Sequence, residues 1–201
     1  MSSSSPNPFP FPWQVRWSLR DVAALVAVCV VLGAILFLWE ALLQLLSHVL
    51  GDVVAGLLYG GWLWGGLLLA FAIRKPGAAL LGELGATLVP LALGTPQGFL
   101  VLVLGLVQGL GLEVVFAWAR FQHWGLPVML LAGAVAGLVG FAMTLVTPPL
   151  QLAGLPAGTI LGVLGTTVLS GAVLGGWLCT FLGDRLLAIP AVRNFLGTPS
   201  A

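Results

Sequence analysis

Residues 21–46 read DVAALVAVCVVLGAILFLWEALLQLL, with one acid at the entrance, Asp21, and one near the outer end, Glu40. A helix crosses the hydrocarbon of a bilayer on about 20 apolar residues, so this stretch predicts a transmembrane helix. The rest of the chain has the same character. Of its 201 residues, 60% are hydrophobic and 6% charged, with a mean hydropathy of +1.13. A soluble domain carries about a quarter charged residues, so this chain could not stay dispersed in water. Working outward, apolar runs broken by charge or turn residues predict six spans, at about 21–46, 51–73, 77–94, 97–120, 126–147 and 157–187. The breaks carry turn chemistry: Arg74-Lys75-Pro76-Gly77, Gly94-Thr95-Pro96, Gly125-Leu126-Pro127, and Pro148-Pro149 through Pro156. The third span is short and carries Pro90 near its end, which predicts a kink or an early stop.

Charge placement sets the orientation. The seven basic residues are Arg16, Arg20, Arg74, Lys75, Arg120, Arg185 and Arg193. With six spans they fall in the N-terminal tail, the second and fourth loops and the C-terminal tail, all on one side. Cytoplasmic loops hold the excess of Lys and Arg, so both termini are expected in the cytoplasm, in a multi-pass protein of the cell membrane. Residues 1–12, MSSSSPNPFPFP, read as a disordered lead, and the first apolar run is too long for the core of a signal peptide. Trp13, Arg16, Trp17 and Arg20 suit an interfacial anchor. Residues 13–195 then form a single membrane domain, followed by a short tail, 196–201. A net charge of +1 gives no call for a nucleic-acid partner.

Lipid offers no hydrophobic drive for helix association, so small residues must let backbones approach. The 28 glycines include pairs at four-residue spacing: Gly56/Gly60, Gly61/Gly65, Gly105/Gly109, Gly133/Gly137 and Gly171/Gly175. Gly133, Gly137, Gly140, Thr144 and Thr147 form one stripe on span 5, and Thr159, Thr166 and Ser170 another on span 6. A compact bundle with polar atoms turned inward is expected. On span 1, Ala23, Ala27 and Ala34 share a face that suits docking by a second protein, while Glu40 lies more than 90° around the helix. Cys29 and Cys179 sit in apolar runs without companions at metal-ligand spacing and read as packing residues. His48 and His123 read as interfacial.

Charges at membrane depth carry the chemistry, because an unpaired buried carboxylate costs several kcal/mol. Glu40, Glu83 and Glu113 are such groups, and no Lys or Arg lies at their depth. Glu83 on span 3 and Glu113 on span 4 run in from opposite directions to similar depth, so their carboxyls are expected to approach. Thr87 is one turn beyond Glu83, Gln108 lies mid-span, and Tyr59 and Trp62 share a face of span 2. With Trp39, these residues suit a flat organic cation or an electron-poor heterocycle, which rings and carboxylates complement together. The alternative is that Glu83 and Glu113 cap backbone at a kink. Phosphate loops, Gly-x-Ser-x-Gly and His-Glu-x-x-His are missing, and nothing calls for a cofactor.

The stretch Ile73-Arg74-Lys75-Pro76-Gly77-Ala78-Ala79-Leu80-Leu81-Gly82-Glu83 is distinctive. Together with the run from Val107 through Gln108 and Glu113 to Ala117, it resembles the YkoE family, substrate-binding S components of energy-coupling-factor (ECF) transporters. The resemblance continues through Gly94–Gly98, Ala132–Ala134 and Ser170–Gly176, and departs at Pro90, where the family commonly carries an acid. It implies a six-helix S component that binds thiamine or its hydroxymethylpyrimidine precursor. It also implies a transmembrane T component and a pair of ABC-type ATPases as partners, with small residues near the start of span 1 meeting the T component. Two other readings stand beside it: an S component for another small vitamin or heterocycle, and a membrane enzyme using Glu83 and Glu113 as an acid–base pair.

Overall fold

The computed structural model describes residues 17–146 and 155–196, and every element among them is helical. The expected lead at 1–12, the anchor residues Trp13 and Arg16, Thr147, the Pro148-Pro149 turn and residues 197–201 lie outside the described residues. Five helical units are long and apolar enough to cross a membrane: Leu19–Leu50, Asp52–Ile73, Leu100–Trp118, Leu126–Leu145 and Ala157–Leu187. A sixth apolar helix, Ala78–Ala92, is shorter. The protein is a multi-pass helical membrane protein.

Helix α1 (Leu19–Leu50) opens on a capping box. Asp21 N donates to Ser18 Oγ at 3.2 Å, and Ser18 N donates to Asp21 Oδ2 at 2.6 Å. These bonds satisfy N–H groups that have no partner inside the first turn. Lys75 Nζ reaches the same Asp21 Oδ2 at 2.6 Å. The ion pair fastens the start of α1 to the turn between α3 (Trp64–Ile73) and α4 (Ala78–Ala92). The 32 residues of α1 rise about 48 Å at 1.5 Å per residue. The 15 residues of α4 rise only about 22 Å by the same measure. Pro90 lies inside α4, which ends two residues later, so the early stop occurs and is followed by Gly94 in the left-handed region (φ 83°).

The units Asp52–Ile73 and Ala157–Leu187 are not continuous α-helices. The former consists of α2 (Asp52–Gly56), a 3₁₀ turn (Tyr59–Leu63) and α3. The last unit consists of α7 (Ala157–Ser170), a π-helical turn (Gly171–Trp177) and α8 (Leu178–Leu187), with α9 (Pro190–Leu196) beyond it. The two irregular turns lie against one another, so close that a Cβ at Gly60 would fall on the carbonyl oxygen of Ser170. On its other side the π turn meets α6 (Leu126–Val146), where a Cβ at Gly133 would fall on the carbonyl of Gly171. Backbone-to-backbone packing through small residues is how helices associate in lipid.

The interior holds Leu63, Leu67, Leu112, Phe116 and Met129 with no exposed surface. The outside is also apolar, with Val26, Leu38, Leu88, Val114 and Leu161 exposed. Polar groups are drawn inward: Glu83, Thr87, Gln108, Thr167 and Ser170 are all buried. Apolar outside and selectively polar inside is the arrangement lipid dictates.

Candidate functional site

The site is built on the break in the second span. At the end of α2 the helical ladder fails, and Gly61 N donates to Leu58 O at 3.1 Å in the tighter 3₁₀ pattern. Residues i and i+3 eclipse in a 3₁₀ turn, which stacks Tyr59 and Trp62 on one side. Three helices hold the turn. From α1, Trp39 Nε1 donates to Leu58 O at 3.1 Å, and its ring lies over Gly61. From α5 (Leu100–Trp118), Gln108 Nε2 donates to the Tyr59 hydroxyl at 2.6 Å. From α7, Ser170 Oγ accepts from Gly60 N at 2.8 Å and donates to Leu57 O at 2.7 Å. The absence of a side chain at Gly140 of α6 makes room for the Tyr59 hydroxyl, where a Cβ would otherwise sit.

Tyr59, Trp62 and Trp39 pack in one cluster with Leu36, Ala86 and Val101. Trp64 stands behind it, its ring centroid 5.1 Å from that of Trp39 and its Nε1 donating to Leu174 O at 2.9 Å in the π turn. Below the cluster, Glu83 is wholly buried between α3 and α5. Gly66 N donates to its Oε2 at 2.7 Å, and among the described residues Oε1 has no hydrogen-bond partner. Gly109 flanks it, with a built Cβ 3.3 Å from the Cβ of Glu83. Thr87 is buried beside Gly105, and its hydroxyl is spent on the carbonyls of Glu83 (3.1 Å) and Leu84 (2.9 Å) in its own helix.

The other two carboxyls have partners of their own. Glu113 Oε1 accepts from Ala79 N at 3.0 Å and Leu80 N at 3.3 Å, at the first turn of α4. A carboxylate there meets N–H groups the helix leaves open and the positive end of its dipole. Among the described residues no hydrogen bond joins Glu113 to Glu83. Glu40 accepts from Gln44 Nε2 at 3.2 Å and from Thr95 Oγ1 at 2.5 Å, so it clamps the turn between α4 and α5 to α1. The structure thus gathers Tyr59, Trp62, Trp39, Gln108, Glu83 and Thr87, and sets Glu40 and Glu113 at separate helix junctions. Sequence reasoning had no means to assign Ser170 or Gly140 to this site, because nothing in Leu57-Leu58 marks a break.

The polar groups at the cluster are a phenol, an amide, indole N–H groups and one carboxyl, a set for an organic ring. Among the described residues no three His, Cys, Asp or Glu side chains come together as they would around a metal ion.

A protein family described as "ABC-type cobalt transport system, permease component" matches residues 20–139. The putative HMP/thiamine permease protein YkoE of Bacillus subtilis (strain 168) is 34% identical over 170 residues, covering 85% of this chain and 84% of that protein. The chain belongs to the YkoE family. A solved structure, described as the crystal structure of an S-component of ECF transporter, matches with a TM-score of 0.85 at 32% sequence identity. The match covers 89% of this chain and 90% of the other. As a member of the YkoE family the chain is a membrane transport protein and not an enzyme, and the resemblance carried by Ile73–Glu83 and Val107–Ala117 extends over most of its length.

Proposed function

We propose that this chain is the substrate-binding S component of an ECF transporter and captures thiamine or its hydroxymethylpyrimidine precursor for uptake. The observation that carries the reading is the Tyr59–Gln108 pair set among Trp62 and Trp39. Because the amide donates to the phenol oxygen, the phenol proton remains for an acceptor such as a pyrimidine ring nitrogen. Trp39 has committed its N–H to Leu58 and its ring to Gly61 and Trp64, so it backs the site and leaves ring contact to Tyr59 and Trp62. The unpartnered oxygen of Glu83 suits an exocyclic amino group or the cationic ring of thiamine. Among the described residues no Lys or Arg packs in the cluster, so a pyrophosphate finds no counter-charge there. The geometry supports a capping role for Glu113 and a clamping role for Glu40.

In this reading the chain has six spans, α4 being the third, with both termini in the cytoplasm. The Asp21–Lys75 pair, the Glu113 contact with α4 and the packing of α1 near α9 support it, since they collect Arg20, Arg74, Lys75, Arg120, Arg185 and Arg193 toward one end. A chain with no phosphate loop needs partners for energy, here a transmembrane T component and ABC-type ATPases. The exposed Ala23, Ala27 and Ala34 on α1 suit the T component. Beside them runs an apolar groove of about 420 Å³ lined by Ala24, Ala27, Leu68, Ala72, Leu186 and Ala191. Titrating purified protein with thiamine and following tryptophan quenching tests the function. Saturable quenching by thiamine or hydroxymethylpyrimidine, and not by thiamine pyrophosphate, is expected; equal affinity for the pyrophosphate, or none for either of the other two, would overturn the assignment.

A further inference from the structure

We infer that Ser170 is a positioning residue for ligand capture, holding the 3₁₀ turn that presents Tyr59 and Trp62. The inference rests on the reading that these two side chains meet the ligand, and extends it to a residue on a different span. In a regular turn Gly60 N would donate to Leu57 O, three residues back. The Ser170 hydroxyl is inserted between them, accepting from the first at 2.8 Å and donating to the second at 2.7 Å. A single side-chain atom therefore satisfies both backbone groups released by the break, the Gly60 amide in the buried interior and the Leu57 carbonyl nearer its edge. Insertion of a side chain into the ladder is also a recognised cause of a helix bend.

Ser170 is itself held in place. It is the last residue of α7 before the π turn, and it is 3% exposed. Its carbonyl lies where a Cβ on Gly60 would be, so it cannot advance, while Gly171 is pressed on Gly133 from the far side. Trp64 Nε1, on the residue that follows the 3₁₀ turn, reaches across to Leu174 O in the π turn at 2.9 Å, a second tie beside the first. The π turn thus serves as an abutment for the 3₁₀ turn, and the hydroxyl sets how far Leu57 and Gly60 stand apart. The direction of Tyr59 and Trp62 follows from that spacing.

Ser170→Ala removes the bridge without adding bulk. Backbone hydrogen exchange in the ligand-free protein should rise at least about 10-fold at residues 58–61 and remain unchanged in α5 and α6, as the buried Gly60 amide loses its partner and the turn loses its bridge. Thiamine affinity should fall about 10- to 100-fold. Thr95→Ala, which removes a buried hydroxyl from the Glu40 clamp, is the control: it should lower the melting temperature and leave thiamine affinity and exchange at 58–61 unchanged. Unchanged exchange at 58–61 in Ser170→Ala would overturn the positioning role. So would raised exchange with wild-type affinity, or an affinity loss matched by Thr95→Ala. Wild-type protein that binds no thiamine while exchange still responds would instead refute the ligand reading alone.

Discussion

Glu83 and Glu113 are both carboxyls at membrane depth, yet their surroundings differ in kind. Glu113 is met by two backbone N–H groups at the start of a helix, and Gln in its place keeps an acceptor oxygen. Glu113→Gln should therefore cost about 0.3–1 kcal/mol of stability, the worth of a charge at a helix N-terminus, with thiamine affinity unchanged. Glu83 has one donor, Gly66, and one oxygen without a partner. Glu83→Gln should weaken thiamine binding about 10- to 150-fold, the loss of a charge-assisted hydrogen bond worth about 1.5–3 kcal/mol. Titration calorimetry beside thermal melting of the two variants checks this, and equal effects on affinity would remove the distinction. These acids were legible in the sequence because an unpaired charge in an apolar run stands out. Ser170 and Gly140 were not, since a serine or glycine in a membrane helix has many uses and only the fold selects one.

At the scale of elements, the apolar runs predicted helix positions to within a few residues, because lipid makes hydrophobic length the dominant signal. The breaks were hidden for a physical reason. Neither Leu57-Leu58 nor Gly171–Trp177 contains proline or charge, and their local geometry is decided by hydrogen bonds from other spans. Helix α1 shows how far a face can be read from spacing: of the face expected with Glu40, Gly33 is buried, Phe37 half-buried and Gln44 exposed, while Ala23, Ala27 and Ala34 are exposed. Replacing Ala23 and Ala27 with Trp should block co-purification with the T component, since bulk there prevents close approach. The same variant should still bind thiamine. Intact assembly would assign that face to lipid, and lost binding would mean that it touches the bundle interior.

For the whole molecule, orientation is the property most open to direct test. His48 and Gln122 are exposed beyond opposite ends of the bundle, the first near the end of α1 and the second between α5 and α6. In intact cells a cysteine at His48 should react with a membrane-impermeant maleimide, and one at Gln122 only after permeabilisation. Buried Cys29 and Cys179 should leave little background, and the inverse pattern would reverse the topology. Orientation in depth is a separate matter, and the unequal lengths of α1 and α4 bear on it. These neighbours rise about 48 Å and 22 Å, yet both present leucine and valine outward, including Val31 and Leu38 on one and Leu81 and Leu88 on the other. No level sheet of about 30 Å of hydrocarbon matches both at once. The long flank must lean or stand proud while lipid tails shorten against the short one. With α4 read as the third span, the membrane boundary is expected to slope from α1 down toward the turn at Thr95.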